Sequence, residues 1–225
     1  MAVTENLRQI QKRVLQLAQG RPVTILAVSK GQSATVIRDA WAAGQKAFGE
    51  SYLQEALEKQ AQLHDLALEW HFIGPLQSNK TRAIAQHFHW VHGVTRLKIA
   101  GRLSEARQEA GLPPLNVCLQ VNLSGESSKA GVAPEDAAAL AAGVAGLPGL
   151  RLRGLMTLPE PTPDTALQRQ RFAALRELQS ALNERGYGLD TLSMGMSQDF
   201  ASAIAEGSTI VRVGTAIFGE RQKTS

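Results

Sequence analysis

The chain alternates between short runs that are apolar throughout and longer stretches where apolar residues recur every three or four positions. Val3, Leu7, Ile10, Val14 and Leu17 mark one face of an amphipathic helix, which Gly20 and Pro22 end. Thr24–Val28 then forms a β-rich run without polar alternation, the pattern of a strand buried on both faces of a parallel sheet. Seven similar runs follow, at Ala47–Gly49, Trp70–Ile73, Trp90–Val94, Val117–Val121, Leu152–Leu158, Thr191–Met194 and Ile210–Val213. Between them, Ser51 to Gln54 offers a capping box to a helix carrying Leu53 and Leu57. A further helix starts near Ser78, and another runs through Leu97, Ala100 and Leu103 to Gly111-Leu-Pro-Pro114. Pro134 suits the first turn of an alanine-rich helix reaching about Ala145. Leu167, Leu175, Leu178 and Leu182 mark a long helix closed by Gly186.

Eight strands alternating with helices predict an α/β fold, a single closed parallel (β/α)8 TIM barrel. The sequence stops at Ser225, too soon after the eighth strand for a full eighth helix. The N-terminal helix is therefore expected to complete the outer ring. No linker, low-complexity tract or second core interrupts the pattern, so residues 1–225 are read as one domain.

Composition narrows the function classes. A formal net charge of +4 is dispersed along the chain, whereas a nucleic-acid binder concentrates its charge on one face, so no nucleic acid is expected. The closest basic groupings, Arg151 with Arg153 and Arg169 with Arg171, are read as solvated surface. Cys118 is the only cysteine, which rules out an intrachain disulfide and any metal site built on several thiolates, and its apolar run predicts a buried structural thiol. His71, His87, His89 and His92 lack metal-ligand spacing with carboxylates and are read as structural. Residues 1–20 lack the apolar core of a signal peptide, and no stretch approaches the roughly 20 apolar residues of a membrane span. No membrane association is expected, and the expected compartment is the cytoplasm.

In such barrels the chemistry sits where strands end and βα loops begin. Lys30 follows the first strand directly. Held in a barrel mouth, a lysine loses its proton more easily and can attack an aldehyde to form a Schiff base. After strand seven, Ser193-Met-Gly195-Met-Ser197 places glycine between two hydroxyls just before a helix that includes Asp199 to Ala205. After strand eight, Arg212-Val-Gly214-Thr215 adds a guanidinium, a glycine and a hydroxyl. Barrel phosphate sites commonly use these two loops, so together they predict a phosphate cradle. Asn122, Thr157 and the Gly74 to Lys80 loop with Gln77 and Asn79 are further polar groups at strand ends, and ordinary capping and turn chemistry accounts for them equally well.

Several runs carry a family resemblance. Leu26-Ala-Val-Ser-Lys30, Phe48-Gly-Glu50, Trp70 through Lys80, Gly154-Leu-Met156, Ser193 through Ser197 and Val211 through Gly219 resemble, in order, the pyridoxal phosphate homeostasis proteins. The likeness runs from roughly residue 5 to 220. It implies a fold-type III pyridoxal phosphate-binding barrel like the N-terminal domain of alanine racemase, with Lys30 as the lysine that carries the cofactor. It implies phosphate contacts from Ser193, Gly195, Ser197, Gly214 and Thr215. Arg212 matches the arginine that faces the pyridine nitrogen in the related racemases, where it leaves the ring a poorer electron sink. Lys129, in Glu126-Ser-Ser-Lys-Ala-Gly131, matches a family lysine associated with cofactor transfer, although a solvated loop lysine is an equal reading of its position. The chain departs from the family pattern at Ser51, where asparagine is usual, and at Gly31-Gln-Ser33, where lysine or glutamine and then proline is frequent.

The resemblance implies a monomeric carrier that holds pyridoxal phosphate without substantial turnover and passes it to apoenzymes that depend on it. The competing reading is an amino-acid racemase. Two-base racemisation needs a second acid/base opposite the lysine, and in the racemases this is a tyrosine from a separate C-terminal domain of the partner chain. Tyr52 and Tyr187 are the only tyrosines here, and neither has matching context. A barrel enzyme acting on some other phosphorylated metabolite would keep the cradle but leave Lys30 and Arg212 without a joint role.

Overall fold

In the computed structural model, which describes residues 2–124 and 130–219, eight parallel strands close in sequence order. They are β1 (Thr24–Val28), β2 (Ala47–Glu50), β3 (Glu69–Phe72), β4 (Trp90–Val94), β5 (Leu115–Gln120), β6 (Leu150–Met156), β7 (Thr191–Ser193) and β8 (Ile210–Val213). The closing pair runs in register from Thr24 opposite Ile210 to Ala27 opposite Val213. The helices are α1 (Ala2–Ala18), α2 (Ala34–Ala42), α3 (Leu53–Gln62), α4 (Thr81–His87), α5 (Leu97–Glu109), α6 (Ala137–Ala145), α7 (Thr165–Glu184), α8 (Phe200–Ala205) and α9 (Thr215–Phe218). The predicted (β/α)8 barrel is the observed architecture.

The strand runs are apolar because each faces helices outside and packed side chains inside. The main core joins strand residues such as Val91, Leu119 and Val211 to helix residues such as Ile84, Leu103 and Phe172. Two smaller clusters hold no helix residue. One is Leu26, Ala47 and Ile210 with Ile73 beside them, and the other is Trp90, Cys118 and Met156. Both belong to the lumen. Burial pushes the Cys118 thiol up to about 12, so it is an inert packing group at neutral pH.

The α1 helix takes the vacant place in the outer ring, packing against α2, α8 and α9. Its buried face is Leu7, Val14 and Ala18, and the Asn6 side chain donates to the Ile217 carbonyl at 3.1 Å. Burying one leucine contributes about 1.5–3 kcal/mol, enough for this face to hold the helix down.

Local differences from the sequence reading have physical causes. The α2 helix is an addition to the sequence reading; it is only nine residues long and buries Ile37 and Ala40. Ser33 caps it by accepting from Val36 N–H. Ser51 does not cap α3. Tyr52 holds that position, without a side-chain bond. β6 ends at Met156 rather than Leu158, because its pairing with β5 runs from Leu115–Leu150 to Gln120–Met156 and then stops. Of the four arginines read as solvated surface, Arg151 is exposed, whereas Arg153, Arg169 and Arg171 also make fixed contacts. Arg153 lies 4.8 Å over the Trp90 ring and pairs with Asp190, while Arg169 pairs with Glu206.

Candidate functional site

Lys30 leaves the end of β1 half-buried, with both of its chain neighbours tied down. The Ser29 hydroxyl donates to Glu50 Oε1 at 2.7 Å. Lys59, on α3, donates to the Ser29 carbonyl at 2.7 Å, to Glu50 Oε1 at 2.8 Å and to Glu55. Glu55 in turn accepts the Gly31 N–H at 2.6 Å. One buried ammonium thus braces the backbone on either side of Lys30. Glu50 is fully buried and its Oε2 has no hydrogen-bond partner. Burial pushes the Glu50 carboxyl above its usual range, against the opposing pull of Lys59 and Ser29. This brace was missed in the sequence, although the Glu55–Lys59 spacing of four on a helix was a visible signal.

Across the mouth, the loops after β7 and β8 interlock. The Arg212 N–H donates to the Gly195 carbonyl at 2.9 Å. Gly195 has φ +95°, and a Cβ there would sit 2.6 Å from Ala203 Cβ, so the turn accepts only glycine without rearrangement. The Asp199 carboxylate accepts the Met196 N–H at 2.6 Å and fixes the loop's far side. Ser197 and Thr215 then meet through their hydroxyls at 3.4 Å.

The Arg212 guanidinium is buried beneath these loops. Nη1 donates to the Ser193 carbonyl at 2.6 Å and to Ser193 Oγ at 2.8 Å, and Nη2 donates to the Thr157 carbonyl at 2.8 Å. These bonds use three of the five N–H groups of an arginine. Burial brings its pKa down to about 10, still charged at neutral pH.

These parts enclose a cavity of about 300 Å³ at the C-terminal ends of the strands. Lys30, Ser197, Arg212, Gly214 and Thr215 line it, and so does Ser51, one of the departures from the family pattern. Its size and placement suit a small ligand in a barrel of this kind. Met156, Leu158 and Ile73 supply an apolar wall. Ser193 and Gly195 are not part of the lining. Ser193 lies below it, bonded to Arg212 and His92, and Gly195 shapes the turn from behind. Besides Lys30 and Arg212, the ionisable group in the described lining is Asp199, which sequence reasoning placed only as a helix start.

Other candidates fall outside the cavity. Thr157 donates to the Val121 carbonyl, and Asn122 accepts from Ser124 N–H. Gln77 and Asn79 are exposed on the loop after β3. Lys129 lies outside the described residues. Among the described residues no His, Cys, Asp and Glu cluster could hold a metal ion, and no helix is long and apolar enough to cross a membrane.

Comparison with known proteins places this geometry in a family. The model of the alanine racemase N-terminal domain matches residues 1–222. A pyridoxal phosphate homeostasis protein of Pseudomonas aeruginosa is 62% identical, over 97% of this chain and 96% of its own length. That of Escherichia coli K12 is 48% identical, over 97% of each. The structure of PipY from Synechococcus elongatus with PLP bound superposes with a TM-score of 0.87 at 39% identity, covering 96% of this chain and all of that one. Alanine racemase from Corynebacterium glutamicum, at 20% identity and a TM-score of 0.69, shares the fold over 60% of its chain. The chain belongs to the family of the alanine racemase N-terminal domain, and within it to the pyridoxal phosphate homeostasis proteins.

Proposed function

We propose that this chain binds pyridoxal phosphate in the barrel-mouth cavity, covalently through Lys30, as a monomeric cytoplasmic carrier formed as one domain that serves apoenzymes without substantial turnover of its own. The carrying observation is the convergence of an amine, a guanidinium and two paired hydroxyls on one cavity of suitable size. The pyridoxal phosphate homeostasis proteins among its relatives and the PLP-bound PipY structure support the choice of ligand.

The residues present fit such a group. Gly195, at φ +95° and packed against Ala203, holds the turn that brings Met196 and Ser197 to the cavity. Ser197 and Thr215 offer hydroxyl donors to phosphate oxygens, and Gly214 lets the chain turn between Arg212 and Thr215. Arg212 presents its remaining N–H groups toward the ring. Ile73, Met156 and Leu158 exclude water from its faces. The bound cofactor supplies a reactive aldehyde, which Lys30 masks as its amine partner.

The lining supports carriage rather than racemisation. Tyr52 is 59% exposed beside the mouth, and Tyr187 packs in the loop between α7 and β7, at the opposite end of the barrel. Asp199 is tied to Met196 N–H and close enough to Arg212 to feel its charge. Titration of the apo chain with pyridoxal phosphate, followed by absorbance, tests the reading. A new near-visible band saturating at one equivalent supports it, and no spectral change refutes it.

A further inference from the structure

A file of buried polar side chains crosses the barrel lumen. His71 Nε2 lies 2.7 Å from Glu69 Oε1, and His71 Nδ1 lies 2.9 Å from His92 Nε2. His92 Nδ1 lies 2.7 Å from Ser193 Oγ, which accepts from Arg212 Nη1 at 2.8 Å. Glu69 opens β3, with its side chain 48% exposed, whereas His71, His92 and Ser193 are buried. β4 and β7 are not neighbours in the closed sheet, so the His92–Ser193 bond spans the interior. The Trp90 ring stacks on His71 at 4° and 5.4 Å and holds the imidazole plane. The file therefore joins solvent at the N-terminal end of the barrel to the guanidinium beneath its mouth.

Counting donors and acceptors leaves one neutral arrangement. Arginine only donates, and an ionised carboxylate only accepts. With Glu69 ionised, the neutral His71 must carry its proton on Nε2, because two bare acceptors would otherwise face each other at 2.7 Å. His71 Nδ1 then accepts from His92 Nε2–H, His92 Nδ1 accepts the Ser193 hydroxyl proton, and both Ser193 lone pairs remain for donors. Every bond in the file points from Arg212 toward Glu69. The reverse order requires a cationic His71. Burial holds both imidazoles below their ordinary range, His92 most strongly, and Glu69 is kept ionised chiefly by its bond to His71.

We propose that Glu69, His71, His92 and Ser193 are positioning residues that fix Arg212 as a donor toward the ligand, with both histidines neutral and protonated on Nε2. The inference rests on the proposed binding of pyridoxal phosphate above Arg212 and assigns a role to residues that do not line the cavity. Oriented outer partners of this kind set the direction and strength of the group that touches the ligand.

The test uses the full chain with ¹⁵N-labelled histidine. The Nδ1 and Nε2 resonances at neutral pH should show the Nε2–H tautomer at both His71 and His92, with or without ligand. An Nδ1–H or cationic form at either one overturns the arrangement, whatever the outcome for the cofactor. Glu69→Ala removes the half-exposed acceptor at the rim and should move the His92 Nδ1 resonance although Glu69 bonds only to His71 within the file. It should also shift the absorption band of bound pyridoxal phosphate and weaken its binding roughly fivefold, as expected when a network loses one hydrogen-bonding partner. Glu69→Gln, which retains an acceptor oxygen, should restore both. An unmoved His92 resonance in Glu69→Ala refutes the coupling. A moved resonance with unchanged cofactor band and affinity refutes the positioning of Arg212.

Discussion

The hydroxyls of Ser197 and Thr215 stand 3.4 Å apart, one from the loop after β7 and one from the turn after β8. Neither is placed by strand pairing, since β7 and β8 pair at Ser193 and Ile210, ahead of both residues. The loops are instead joined by the Arg212 N–H to Gly195 carbonyl bond. Two hydroxyls held this close can donate to different oxygens of one phosphate. A hydrogen bond to a charged oxygen contributes about 1.5–3 kcal/mol, so Ser197→Ala or Thr215→Ala should weaken pyridoxal phosphate roughly 10- to 150-fold. Inorganic phosphate should compete less well in both variants. Retained affinity for both ligands in the double variant would remove these hydroxyls from the cradle.

Gly195→Ala should destabilise the fold by about 1–3 kcal/mol through backbone strain alone. The added methyl also meets Ala203 Cβ at 2.6 Å, so α8 must shift. Urea unfolding measures the loss. A variant as stable as the parent, with parental phosphate affinity, contradicts the view that this turn is set by glycine.

The fold was legible because eight buried strands leave eight apolar runs, and their order fixes a barrel with few alternatives. The strand ends were legible for the same reason, so Lys30, Ser197, Arg212, Gly214 and Thr215 could be named before their cavity was seen. What could not be read was direction. Ser193 looks like Ser197 in the sequence, yet strand pairing through Ser193 turns its hydroxyl down to His92 and Arg212, while Ser197 lies beyond the turn and faces the cavity. Ser51 resembled a cap, but Gly74 packs so tightly on it that a Cβ at 74 would lie 2.2 Å from the Ser51 carbonyl oxygen, and the chain enters α3 one residue later. The pairing of His71 with His92 depends on barrel register, which no local spacing encodes.

Lys59→Met should cost about 3–5 kcal/mol, because it leaves Glu50 buried without its cation. The deficit should depend on pH. The folded-state pKa of Glu50 is raised above its unfolded value, chiefly by burial, so its contribution is fully present at low pH and is lost as pH rises through the folded value. Removing Lys59 raises that value further, so the deficit should grow from acid to neutral pH. Chemical unfolding across that range checks it, and a deficit that does not vary with pH contradicts the buried-pair account.

Racemisation should be a trace activity. A positioned acid or base contributes roughly 10²–10⁴-fold, and the carboxylate in the described lining, Asp199, is held by the Met196 N–H. Single amino-acid enantiomers in deuterated water should show slow α-exchange without inversion. Asp199→Asn should leave that rate unchanged. Inversion at the usual enzymatic rate of about 1–10³ s⁻¹, abolished by Asp199→Asn, would make Asp199 the missing base and the chain a racemase.

The central claim is that Lys30 carries pyridoxal phosphate. Borohydride reduction of the loaded chain followed by peptide mapping tests it most directly. The account predicts a pyridoxyl group on Lys30 and loss of the near-visible band in Lys30→Ala, with the fold intact. A stoichiometric label on Lys59, Lys80 or Lys129, with Lys30 unmodified, would contradict it.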